Sequence, residues 1–168
     1  MIRDPRATLH SQSHVGEFKL QDLAYASKVF CKRVLDDLKR GDRVSTLYPG
    51  RTLRARYEDL ATEPVEFAER LLAFSGLAMD DVLRQYVRNI TSAGLPDSCA
   101  ICTTRSDSRK TAMRWRYRVN LKNSILIDVN CKDVYKQMGY RPFHAQQDLL
   151  NLTLPSFVDA SKVSGLWK

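Results

Sequence analysis

Met1-Ile2-Arg3-Asp4-Pro5-Arg6-Ala7-Thr8-Leu9-His10-Ser11 decides how the rest of the chain is read. Met1-Ile2 reads as the last step of a strand, and Arg3-Asp4-Pro5 as the turn from that strand into a helix. Asp4 carries the short acceptor side chain of an N-cap. Pro5 suits the first helical position, where its missing N–H has no intrahelical partner to lose. A guanidinium thus leaves a strand end, and a hydroxyl follows at Ser11 about one and a half helical turns after Pro5, so both can reach one anion. The N–H groups of a helix start add to that attraction, and arginine's planar fork takes two oxygens at once. Taken alone, such a turn is more often a salt-bridged corner than a ligand site, so the remaining sequence has to decide.

Outward from this stretch, apolar residues at Leu23, Ala26, Phe30, Val34 and Leu38 recur at spacings of three and four and predict a helix over 17–40, ended by Gly41. Thr52-Leu53-Arg54-Ala55-Arg56-Tyr57 follows the turn-like Pro49-Gly50 and predicts a short strand. Helices are expected from Pro64 through Phe74, stopped by Gly76, and from Asp80-Asp81 through Val87. The mostly polar stretch 93–109 reads as a long loop. Two further helices are expected around 112–119 and over 124–138, the latter closed by Gly139. Strand, helix, strand and then several helices is the order of one half of an open α/β sheet.

The chain has 168 residues and 43% apolar content, enough for one core and a single globular unit. Its formal charge of +8 favours anionic partners. Acids interleave with the bases, as in Asp36-Asp37-Leu38-Lys39-Arg40, which is the pattern of a solvated face. No nucleic-acid recognition module accompanies the charge, so nucleic acid is not an expected partner. No window approaches the ~20 apolar residues of a membrane span, and no signal pattern opens the chain. Four cysteines, Cys31, Cys99, Cys102 and Cys131, and two sequons, at Asn89 and Asn151, lean towards a secretory lumen. One Cys-x-x-Cys and histidines only at His10, His14 and His144 make no zinc signature, and no metal is expected.

Four segments taken together resemble a family. Ile2-Arg3-Asp4-Pro5-Arg6-Ala7 to Ser11, Arg56-Tyr57-Glu58-Asp59-Leu60-Ala61, Thr103-Thr104-Arg105 to Trp115-Arg116, and Cys131 to Gly139-Tyr140-Arg141-Pro142 look like carbohydrate sulfotransferases. Within the family the resemblance is to the Golgi enzymes that sulfate the 6-hydroxyl of galactose, N-acetylgalactosamine or N-acetylglucosamine. It covers 1–143, the C-terminal part of a sulfotransferase domain, and leaves 144–168 as an irregular tail. The implied fold is α/β and P-loop-NTPase-like, a short parallel sheet flanked by several helices, with its first strand and phosphate loop not among these residues.

The resemblance implies 3'-phosphoadenosine 5'-phosphosulfate as donor and a glycan or glycoprotein as acceptor. Arg3 and Ser11 match the motif that holds the donor's 3'-phosphate. Tyr57 maps to a tyrosine near the adenine, Thr91 and Ser92 to a Thr-Ser pair, and Arg109 and Lys110 to a late basic contact, with Arg105 as the alternative register. Thr91 also completes the sequon of Asn89, and a glycan beside a nucleotide pocket is awkward, so at most one of those roles holds. Without the family, Tyr57 packs at a strand end, Trp115 joins the core, and Arg109 and Lys110 are solvated. Cys31 and Cys131 stand where the family often carries cysteines, and a disulfide within each pair, Cys31 with Cys131 and Cys99 with Cys102, is the corresponding hypothesis.

In-line sulfuryl transfer needs positive charge on the leaving phosphate and a base near the acceptor. No Gly-rich or Arg/Lys-Ser/Thr loop precedes Arg3, and the histidines at hand, His10 and His14, lie on or just after the phosphate-binding helix. No catalytic residue is therefore assigned, and the chain is expected to be an incomplete, inactive form of a Golgi lumenal enzyme whose membrane anchor it lacks. The alternative is a non-catalytic module that binds a 3'-phosphoadenosine nucleotide or an acidic glycan through Arg3, Arg109 and Lys110.

Overall fold

The computed structural model describes residues 1–94 and 104–166. Cys99 and Cys102 lie outside the described residues. Size suggested one globular unit, but the packing divides into two, Met1–Arg56 with Trp115–Lys168, and Tyr57–Arg114.

In the first unit, α1 (Pro5–His14) starts as its sequence predicts, with the Asp4 carboxylate accepting from the Arg6 N–H. Helix α2 (Leu23–Leu47) begins later and runs further than expected. Gly16 at φ +88° breaks the chain after α1, and extended Lys19 leads into a single 3-10 turn before α2 starts. Gly41 lies within the helix, because glycine ends a helix only where the backbone turns left-handed, and no positive φ occurs there. Pro49 ends it instead, by disfavouring helical backbone at Tyr48.

Helix α7 (Leu121–Met138; α3–α6 belong to the second unit) is capped by Asn120 and closed by left-handed Gly139 at φ 73°. It packs along α2, and Leu23, Leu38, Ile127, Val134 and Met138 form the main core with Leu9, Tyr140, Val163 and Leu166. Cys31 and Cys131 join the two helices by a buried disulfide, Cα–Cα 5.2 Å. A second cluster gathers Ala7, Trp115, Val119, Phe143 and Leu149, so Trp115 is a core residue. The chain after Gly139 is held against this unit by α8 (Gln146–Leu150) and an antiparallel bridge of Tyr140 with Phe157.

The expected parallel sheet is not found among the described residues. The two extended segments meet at a single parallel bridge, Ile2 with Arg56, where the Ile2 N–H donates to the Ala55 carbonyl at 2.9 Å. Met1-Ile2 offers too short a run before Asp4 caps α1 for a longer ladder, and the rest of 52–56 stays extended without forming a strand. No helix among the described residues is long and apolar enough to cross a membrane.

The second unit holds α3 (Tyr57–Thr62), α4 (Pro64–Phe74), α5 (Asp81–Thr91) and α6 (Ser108–Met113). Helix α3 packs on α4 and α6, and α4 on α5. Gly76 at φ +76° follows α4, and the Asp80 carboxylate caps α5 by accepting from the Leu83 N–H, both as the sequence predicts. The loop expected to run to Arg109 ends earlier, because Asp107 caps α6 by accepting from the Lys110 N–H. The Ser108 hydroxyl donates to the Ala61 carbonyl at 2.7 Å, pinning that start to α3. The helix expected over 112–119 is thus α6 followed by a 3-10 turn, Arg114–Tyr117.

Candidate functional site

Asp4 does two jobs at the start of α1. Besides capping, its oxygens accept from Arg6 Nε at 3.0 Å and Nη2 at 2.8 Å, so Arg6 folds back onto the cap. The remaining Arg6 nitrogen donates to the Arg141 carbonyl at 2.9 Å, and the guanidinium lies 4.6 Å from the Trp115 ring centre. Burial works against charge on Arg6, but Asp4, Tyr135 and Asp128 outweigh it and hold its pKa above the ordinary arginine value. The second arginine of the Arg-Asp-Pro-Arg sequence is thus the salt-bridged corner.

Arg3 is half-buried and lines a cleft of about 550 Å³ with Thr8, Phe30, Val34, Leu53 and Arg54, entirely within the first unit. Ser11 is exposed on α1 and does not line this cleft. It follows Thr8 by three residues and so lies one turn further along the same side of the helix. Thr8, which sequence reasoning passed over, is the hydroxyl beside Arg3; its three-residue spacing before Ser11 was the available signal. The Thr8 hydroxyl donates to the Asp4 carbonyl at 3.1 Å.

Two other guanidiniums of this unit are committed. Arg56 donates to the Met138 and Val158 carbonyls at 3.0 and 2.8 Å. Arg116 donates to the carbonyls of Leu149, Leu154, Asp148 and Asn151, each at 2.8–2.9 Å. Both side chains are almost wholly buried. Arg56 and Arg116 stand inside two of the family-like segments, yet they hold the chain beyond Gly139 rather than a ligand.

In the second unit, Ser92 and Arg109 line one cleft of about 630 Å³ with Asn89, Arg88 and Thr62. Arg109 is exposed at the first turn of α6. Thr91 is not part of that cleft, since its hydroxyl donates within α5 to the Val87 carbonyl at 2.6 Å. Lys110 is exposed and pairs with Asp107 at 3.5 Å. Tyr57 is half-buried at the first position of α3. Arg105 donates its backbone N–H to the Ile90 carbonyl and its guanidinium to the Thr104 carbonyl, both at 2.8 Å. Of the residues singled out in this unit, the fold therefore gathers Ser92 and Arg109 and leaves Thr91 and Lys110 outside.

Carbohydrate sulfotransferase 5 of Homo sapiens is 30% identical to the chain over 179 aligned positions, covering 92% of this chain and 43% of the human protein. Carbohydrate sulfotransferase 5 of Mus musculus is 33% identical, covering 96% of this chain and 47% of its own length. The curated homologues of this chain are carbohydrate sulfotransferases. Carbohydrate sulfotransferase 4 of Mus musculus adds 27% identity over 92% of this chain. The chain spans a little under half the length of these relatives and matches their C-terminal part. No protein-family model and no solved structure matches it. Cations meet hydroxyl or amide groups in the cleft beside Arg3 and in the Ser92–Arg109 cleft, the latter also lined by Glu63, Glu66 and Asp107.

Proposed function

We propose that this chain carries the 3'-phosphate half of a donor site, in an enzyme that moves a sulfuryl group from 3'-phosphoadenosine 5'-phosphosulfate to a sugar hydroxyl of a glycan. The observation that carries the reading is the start of α1, where Asp4 and Arg6 lock the turn and Arg3 lines a cleft next to the helix N-terminus. Such a terminus attracts phosphate through its N–H groups and dipole. In this reading Arg3 takes the phosphate oxygens, and Ser11, which does not line the cleft, contributes from one turn beyond Thr8 on α1. For Tyr57, Ser92, Arg109 and Lys110 a role at the nucleotide rests on the resemblance alone, and Thr91 keeps a place only by giving up its bond within α5. The buried Cys31–Cys131 disulfide supports an oxidising compartment, in keeping with a Golgi lumenal setting.

The same reading has the 168 residues bind the nucleotide without turning it over. Calorimetry with adenosine 3',5'-bisphosphate tests it. Binding by the purified chain, weakened about tenfold or more by Arg3→Ala, is the expected result. Unchanged binding in Arg3→Ala removes the phosphate assignment, and sulfate transfer to a galactose acceptor by the chain alone removes the claim of inactivity. A binding module without catalysis is the second reading, favoured by the same Arg3 geometry. It predicts nucleotide binding but no transfer even when the N-terminal portion of a relative is supplied in trans.

A further inference from the structure

A second cleft of the first unit, about 280 Å³, is lined by His10, His14, Arg118, Asn123 and an apolar floor that includes Leu23 and Ile127. No carboxylate lines it. Arg118 is exposed and, among the described residues, forms no ion pair, in contrast to the committed guanidiniums of Arg6 and Arg116. His10 and His14 stand one turn apart on α1 with ring centres 6.2 Å apart. The cleft also sits at the capped start of α7, whose N-terminal end carries positive partial charge.

We propose that this cleft binds one anionic sugar residue, holding its sulfate or carboxylate with Arg118, His10 and His14 and its ring on the apolar floor. The volume lies just below the ~300–1,000 Å³ of sites for drug-sized ligands, which suits one ring rather than an oligosaccharide. A pyranose offers an apolar C–H face and a polar rim, and the cleft offers an aliphatic floor beside an amide and cations. An independent sign of the local potential is His10 itself. Its pKa is lowered by burial first and then by the positive charges of Arg118, His14 and Arg3. A group whose proton is repelled by its neighbours sits where an anion is attracted, and a bound anion has to raise that pKa again.

The test is a nuclear magnetic resonance titration of the three histidines of the full chain, with galactose 6-sulfate, glucuronate and galactose as separate probes. Saturation with galactose 6-sulfate is expected to move the His10 titration to higher pH, and Arg118→Ala to weaken binding about tenfold while leaving the melting temperature unchanged. Glucuronate reports whether the carboxylate serves as well as the sulfate; binding of either acid above galactose supports the proposal. Equal binding of neutral galactose, a His10 titration that does not move, or full affinity in Arg118→Ala overturns it. Adenosine 3',5'-bisphosphate at saturation is expected to leave the sugar in place. Displacement by the bisphosphate would make this cleft part of the donor site and refute the proposal, whereas loss of bisphosphate binding in Arg3→Ala bears on the donor reading alone.

Discussion

In the unit formed by Met1–Arg56 and Trp115–Lys168, the guanidiniums of Arg6, Arg56 and Arg116 are withdrawn from water, whereas in Tyr57–Arg114 the cations at the cleft, Arg88 and Arg109, stand exposed. A buried guanidinium brings five donors that must be satisfied, and these three meet them with carbonyls, a carboxylate and ring faces. Each therefore fixes a stretch of distant backbone and has little left for a ligand. The first unit also has a disulfide and two apolar clusters. The second rests on short capped helices with a few buried residues such as Ala61, Val65 and Ala112. Basic residues of this chain thus divide into buried clamps and exposed side chains, and the division follows burial rather than motif.

The disulfide is the strongest point at which to break this contrast. It closes a separation of 100 residues, for which the chain-entropy estimate is about 4.7 kcal/mol. Cys131→Ser or reduction should lower the melting temperature by the largest amount of any single change. Hydrogen exchange should show α2 and α7 losing protection first. If α4 and α5 lose protection as early, the two units do not differ in stability as their packing implies.

Arg6→Ala comes next. It strips Asp4 of its buried partner and leaves a carboxylate 0% exposed, a change that costs about 3–5 kcal/mol. Chemical denaturation reads the loss directly. Arg6→Lys should recover only part of it, since an ammonium cannot span both Asp4 oxygens and the Arg141 carbonyl in one plane. A loss below about 1 kcal/mol would mean that the corner is not what fixes the start of α1.

Gly139→Ala probes the hinge between α7 and the chain that the arginines hold. The backbone there is left-handed at φ 73°, and an added Cβ would stand 2.5 Å from a Val163 methyl carbon and 2.8 Å from a Val158 methyl carbon. Strain and overpacking together should cost about 2–4 kcal/mol, seen as a lower denaturation midpoint at unchanged slope.

Local chemistry was the legible part of this fold. Asp4-Pro5, Asp80 and Gly139 each announce a helix end through groups within a few residues, and each end falls where the sequence puts it. Gly41 misled because a glycine stops a helix only if the next segment requires the turn, and here Pro49 supplies the stop. The sheet was not legible because a strand is defined by its partner, and 52–56 finds only Ile2. Nor were Arg56 and Arg116 readable as clamps, since their acceptors lie 32 to 102 residues away and are backbone carbonyls that carry no sequence signature. At the candidate site the motif named Arg3, but Thr8 beside it and the company of Asn89 around Arg109 needed coordinates.

Arg109 offers the smallest effect on stability and the sharpest test of the contrast. Its side chain is exposed at the first turn of α6, where the cap is made by Asp107 and the helix is pinned by Ser108. Removing it leaves both in place, so Arg109→Ala should change stability by no more than about 0.5 kcal/mol. A basic side chain near a helix start is even slightly unfavourable with the dipole, which points the change towards stabilisation. If the residue serves a nucleotide phosphate, calorimetry should show weaker binding of adenosine 3',5'-bisphosphate in the variant, more so at low salt, where screening is least. Opposite responses of stability to Arg6→Ala and Arg109→Ala would establish that the buried cations of this chain hold the fold and the exposed ones do not. A stability loss at Arg109 as large as that at Arg6 would erase the distinction.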